Sequence, residues 1–179
     1  MHLKIYYSHF GMSLLALSLG CASVTANQAT SGDTKTKSSQ INTVIMKNLG
    51  SELAHAIARA KSVSVAKAGA RSNAPDAVQG LAKDGESVML SAKQAGTLKR
   101  LMLSPKTHIF GARARCRYRP RYIVTFKGAE KSHSILLSSP KCPKWSFKAH
   151  PKRKILDIRK PNGNTMVALV KSALTGGKK

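Results

Sequence analysis

The sequence predicts an α+β domain: an antiparallel sheet with about three helices packed on one side of it, stapled by one disulfide. Three observations carry this. Apolar residues recur with a helical period near the start of the domain, with a period of two through the second half, and with a helical period again at the end. Turn formers separate these segments. Two cysteines, Cys116 and Cys142, flank the strongest strand pair.

Residues 41–60 open the domain. Ile41, Val44, Ile45, Leu49, Leu53, Ala56 and Ile57 recur at steps of three and four and so share one helical face, with Ser38 or Ser39 as the cap. Val63 and Val65 alternate with serines and read as a short strand. Residues 69–80 are a loop, and Ser87 to Leu90 another strand. Ser91-Ala92-Lys93-Gln94 matches a capping box, in which the glutamine reaches back to the cap backbone. The helix it starts carries Leu98, Leu101 and Met102 and ends by Pro105. Tyr122, Val124 and Phe126 then alternate with Arg121, Ile123 and Thr125. Residues 127–130 turn the chain, and His133 to Ser138 return beside it. Short strands are expected at Lys144–Lys148 and Lys154–Arg159, and a turn at Pro161-Asn162-Gly163. The last helix runs from about Thr165 to Leu174, with Asn164 as its cap and Gly176-Gly177 as its end.

Ahead of the domain, Phe10 to Leu19 is apolar and about half as long as a helix needs to cross a bilayer. Val24-Thr25-Ala26 follows in a small-x-small pattern. Residues 1–26 therefore read as a signal peptide cleaved after Ala26, and residues 27–39 as a flexible polar leader to a single basic domain, 40–179. Gly20-Cys21 keeps a second reading open, in which Cys21 is lipidated. The expected location is the periplasm, with a lipid-anchored or secreted form as the alternative. No transmembrane segment is expected in the mature chain. An oxidising compartment and an even remaining cysteine count pair Cys116 with Cys142.

The chain carries 31 basic and 7 acidic residues, a net charge of +24. Such a surplus points to an anionic partner: lipid headgroups, a cell-wall polymer, nucleic acid or an acidic protein surface. Nucleic acid is the disfavoured member, because no RNP-type or zinc-finger pattern is present. The charge is concentrated at residues 112–122, where Arg113, Arg115, Arg117, Arg119 and Arg121 occupy every second position. In an extended chain alternate side chains point to opposite faces. The arginines then form one row, roughly 27 Å long at about 3.3 Å per residue. Ala114, Cys116, Tyr118, Pro120 and Tyr122 form an inward face. A guanidinium offers two parallel donors to a phosphate or carboxylate, so the row is the candidate anion- or partner-binding face, with Lys141, Lys144 and Lys148 extending it. The bland alternative is an edge strand protected by charge.

Catalytic patterns are sparse. Ser64/Lys67 and Ser138/Lys141 match Ser-x-x-Lys, but the companion motifs of the penicillin-binding class are absent. His55 falls near the apolar face of the first helix, and His133 on a hairpin strand. His133 and His150 lack finger-like spacing to Cys142, so neither a metal nor a cofactor is expected.

The run Cys116-Arg-Tyr-Arg-Pro-Arg-Tyr-Ile-Val-Thr-Phe126, followed by a strand and Cys142, resembles small exported bacterial proteins of uncharacterised function. These carry a Cys-x-aromatic-x-Pro segment leading into a strand. A preceding Leu-Ser then helix, here Leu90-Ser91 and Leu98 to Leu103, extends the likeness over roughly residues 86–147. This chain departs from that pattern in its arginines and in having one cysteine, Cys142, where the pattern has two close together. The resemblance implies a fold and a compartment, and no catalytic residues. Together these readings describe a non-enzymatic binding or envelope-accessory protein. An accessory or stabilising factor of an envelope machine such as a secretion system, and a small cell-wall hydrolase, remain the alternatives.

Overall fold

The computed structural model of the protein describes residues 40–111, 115–149 and 152–176. The expected signal peptide, Cys21, the polar leader, Arg113, Ala114, His150 and Gly177 lie outside the described residues. Among the described residues seven strands form one antiparallel sheet: β1 Ser62–Arg71, β2 Leu81–Met89, β3 His108–Ile109, β4 Pro120–Lys127, β5 Ser132–Ser138, β6 Lys144–Ala149 and β7 Lys152–Ile158. Their order across the sheet is β2-β1-β4-β5-β6-β7-β3. The helices are α1 Thr43–Leu49, α2 Ser51–Arg59, α3 Ala92–Met102 and α4 Lys160–Gly176, with a short 3-10 turn at Pro105–Thr107.

The helix expectation needs two corrections. The single helix over 41–60 is two, which raises the expected three to four among the described residues. Gly50 sits at φ +84°, a conformation that side-chain-bearing residues rarely adopt, and its N–H closes α1 on the Met46 carbonyl. The apolar face continues through the break, so Ile45, Leu49, Leu53 and Ile57 are all buried. The cap is Asn42, whose side chain accepts from the Val44 N–H at 2.9 Å. At the other end, Pro161-Asn162-Gly163 is no turn. It lies in the first turn of α4, where a proline's missing N–H has no partner to lose. Gly163 is needed there for space. A Cβ on it would stand 2.3 Å from Pro143 Cβ.

The helix cap of α3 and the β4–β5 hairpin match their sequence patterns, whereas the two-residue β3 has no counterpart in them. Ser91 and Gln94 form the capping box of α3. β4 and β5 pair from Lys127↔Ser132 onward, with the Gly128 N–H bonded to the Lys131 carbonyl in the turn. β1 and β2 extend further than their alternation suggested, to Arg71 and from Leu81.

Alternation in the strands splits the buried residues into two sets. Val63, Val65, Val124, Phe126, Ile135, Leu137, Trp145 and Phe147 join Ile45, Ile57, Leu98, Met102, Met166 and Val170 of the helices in the main core. Each fully buried aliphatic side chain there contributes about 1.5–3 kcal/mol. The intervening positions Ala66, Ile123 and Leu136 form a smaller cluster, covered by Val78, Leu81 and Tyr118. In the main core His108 is 1% exposed, its Nε2 2.8 Å from the Met102 carbonyl and its Nδ1 3.4 Å from the Trp145 indole N–H. Burial lowers its pKa, against a smaller upward pull from the Met102 bond. No helix among the described residues is long and apolar enough to cross a membrane.

Candidate anion-binding site

Cys116 and Cys142 stand at disulfide distance, their Sγ atoms 1.99 Å and their Cα atoms 5.9 Å apart. The bridge ties the segment entering β4 to the β5–β6 connection. That connection is itself fixed. Ser138 Oγ donates to the Cys142 carbonyl and accepts from the Lys144 N–H at 2.8 Å, while the Pro143 carbonyl accepts from Ile158 N–H at 2.9 Å. Ser138 of the second Ser-x-x-Lys match is thus occupied in holding the turn.

The described arginines, Arg115, Arg117, Arg119 and Arg121, are all exposed, but they are not one face of one strand. β4 begins only at Pro120, and residues 115–119 have no strand partners. The register then shifts, Pro120 facing Ser138 and Tyr122 facing Leu137, so β4 carries an extra residue. The shift puts the two tyrosines on opposite sides. Tyr118 packs on Ala66, Ile123 and Leu136, whereas Tyr122 packs on the main core. The expected common inward face of Cys116, Tyr118 and Tyr122 is therefore corrected, and Cys116 itself is exposed. A bulge flips the alternation that a regular strand would keep.

Tyr118 anchors the segment. Its hydroxyl is 3.0 Å from the Leu136 carbonyl and 2.8 Å from Ser146 Oγ, which also bonds the Gln79 side chain at 2.8 Å. Burial pushes the Tyr118 pKa up to about 12, opposed by the Ser146 bond and the charge of Arg153, so the hydroxyl keeps its proton.

Two open depressions meet at this end of the sheet. One is lined by Gly69, Leu81, Tyr118 and Pro120, the other by Ser139, Pro140, Lys141 and Cys142, and Arg117, Arg119 and Arg121 border both. No carboxylate is among the described residues lining either. No local pattern in the sequence points to Gly69 and Leu81: Gly69 arrives through the pairing of β1 with β4, Lys67 opposite Tyr122, and Leu81 through the pairing of β2 with β1, Leu81 opposite Arg71.

The three lysines expected to extend the arginine row separate. Lys141 lies with the arginines. Lys144 does not: it is buried, with Nζ 2.9 Å from Asp157 Oδ1 on the adjacent strand. Lys148 borders a different hollow, with Glu52, Val78 and His133. His55 Nδ1 lies 2.8 Å from the Ser51 carbonyl within its own helix, and His133 Nε2 is 4.0 Å from Glu52. Among the described residues no group of three or more His, Cys, Asp or Glu is placed to hold a metal ion.

Comparison with known protein families, with curated proteins and with solved structures finds no match to this chain, so the functional reading rests on the site itself.

Proposed function

We propose that the protein is an exported, non-enzymatic binding or envelope-accessory protein whose arginine-rich end holds an anionic partner, either an envelope component or an acidic protein surface. The observation that carries this reading is the grouping of Arg117, Arg119, Arg121 and Lys141 around two adjoining depressions that no described carboxylate lines. Like charges held together repel, and an anion placed among them removes that cost. The disulfide supports the reading because it fixes the arginine segment against the loop that carries Lys141. It also supports export, since such bridges persist in oxidising compartments.

The test uses soluble polyphosphate and phosphatidylglycerol vesicles as probes. Changing Arg117, Arg119 and Arg121 together to glutamine should weaken binding at least tenfold and leave the fold intact. Removing equal charge at Lys61, Lys127 and Lys131, all exposed and near the opposite end of β4, should weaken it less than threefold. Binding should also fall as salt rises. Equal losses from the two sets would reduce the arginine site to bulk charge. For export, mass spectrometry of protein from its native host should find Asn27, or a lipidated Cys21, at the N-terminus. An intact Met1 on cytoplasmic protein would end that part of the reading.

A further inference from the structure

A second feature adjoins the arginine cluster at Tyr118, which lines both. A cleft of about 470 Å³ runs beside β7, lined among others by Ile109, Phe110, Tyr118, Lys144, Arg153, Ile155 and Asp157. Its volume falls in the range of small-molecule sites. Three features give it chemical character. Lys144 and Asp157, directly opposite each other on β6 and β7, are both more than nine-tenths buried and pair at 2.9 Å. The one carboxylate among the described lining residues is therefore already matched by a cation. Arg153 stands at the rim with its guanidinium carbon 5.5 Å from the centre of the Tyr118 ring, an arrangement that holds the cation in place. Apolar surface lies between them: Ile109 and Phe110 are partly covered, and Ile155 keeps 38% of its surface exposed.

We propose that this cleft is a separate binding site for a small amphipathic anion, a molecule with a flat or acyl apolar body and one anionic group. The body lies on Ile109, Phe110 and Ile155, and the anion meets Arg153. Tyr118 contributes its ring rather than its hydroxyl, which is engaged with Leu136 and Ser146. The arginine end is open and suited to an extended charged surface. This cleft instead offers apolar walls with a cation at the rim, which suits one small molecule.

The probe is 8-anilinonaphthalene-1-sulfonate, an aromatic monoanion that fluoresces when shielded from water, titrated into the full folded chain. Saturable binding at one site is expected. Arg153→Gln should weaken it at least fivefold, as should Ile155→Asn. Both residues are exposed, so cooperative melting should persist in each variant and confirms that the fold is intact. The Arg117/Arg119/Arg121 glutamine variant should keep its dye affinity within twofold even where its polyphosphate binding is lost, which separates this site from the first. Non-saturating binding, dye affinity that follows total charge in both sets of variants, or equal binding of the uncharged N-phenyl-1-naphthylamine would overturn the proposal.

Discussion

The basic residues of β6 and β7, mostly lysines, and the arginines entering β4 differ in how far the fold engages them. On β6 and β7, Lys144 is buried against Asp157, Lys154 Nζ reaches the Asn48 carbonyl at 2.5 Å, and Arg153 lies over Tyr118. In the β4 approach, Arg115, Arg117, Arg119 and Arg121 all face solvent. In the first region Lys144 and Lys154 are part of the folded framework, while Lys148, Lys152 and Arg153 stay exposed. In the second every described cation is displayed by it. Net charge alone therefore overstates the surface open to a partner at any one place, and Arg117, Arg119 and Arg121 are exposed charge that the fold gathers together. The side chains suit this division. A lysine stem can run along apolar surface to a single buried acceptor, whereas a guanidinium fork is best matched by an incoming oxyanion.

The contrast can be broken most forcefully at Lys144. Lys144→Met leaves the Asp157 carboxylate buried without its cation and should cost about 3–5 kcal/mol in a urea or guanidinium unfolding experiment. Adding Asp157→Leu should recover most of the loss. If the single and double variants unfold alike, the pair is not a framework element.

The disulfide joins the two regions, and its removal should have the next largest effect. Cys116→Ser or Cys142→Ser reopens a 26-residue separation and should lower stability by about 3 kcal/mol under oxidising conditions. Polyphosphate affinity should fall with it, because the arginines lose their fixed place beside Lys141. Affinity unchanged in a variant that is still folded would show that the bridge serves stability alone.

His108 gives a smaller, pH-dependent effect on the buried side of the comparison. Its pKa is lowered by burial, so below about pH 6.5 the unfolded chain binds a proton that the folded ring resists. Stability should be level in this respect above pH 6.5. It should fall as the pH drops below that value, by no more than about 1.4 kcal/mol per pH unit, until the buried ring also protonates. His108→Phe should flatten that part of the profile. An unchanged acid slope in the variant would assign it to other groups. Smallest of all is the effect of the three arginine-to-glutamine changes on stability, which should leave the melting temperature within about 2 °C. A larger drop would place the arginines in the framework after all.

The local features were legible in the sequence because neighbouring residues decide them. The apolar stripe that ends at Ile57, the Ser91–Gln94 capping box and the β4–β5 hairpin depend on residues a few positions apart. The pairing of Cys116 with Cys142 followed from counting. Arginine exposure was legible too, since a run of like charges resists burial wherever the chain goes.

Tertiary structure decided the rest. Gly50 reads as one small residue inside a helical pattern, and only the turn required between two helices on one core gives it φ +84°. β1 finds β4 across the hairpin, α3 and β3, a pairing that no local period encodes. Gly163 can enter α4 because Pro143 needs its missing Cβ, a neighbour far away in the chain. Most consequential is the register shift between Pro120 and Tyr122. The period-two arginine pattern invites a straight strand. Tyr118 is instead drawn onto Ala66, Ile123 and Leu136 while Tyr122 stays on the main core, and an extra residue in β4 goes with both being half-buried, on opposite sides. A sequence states which residues avoid water. Which face receives them depends on strands that arrive from elsewhere in the chain, and on this protein that choice determined where the arginines stand.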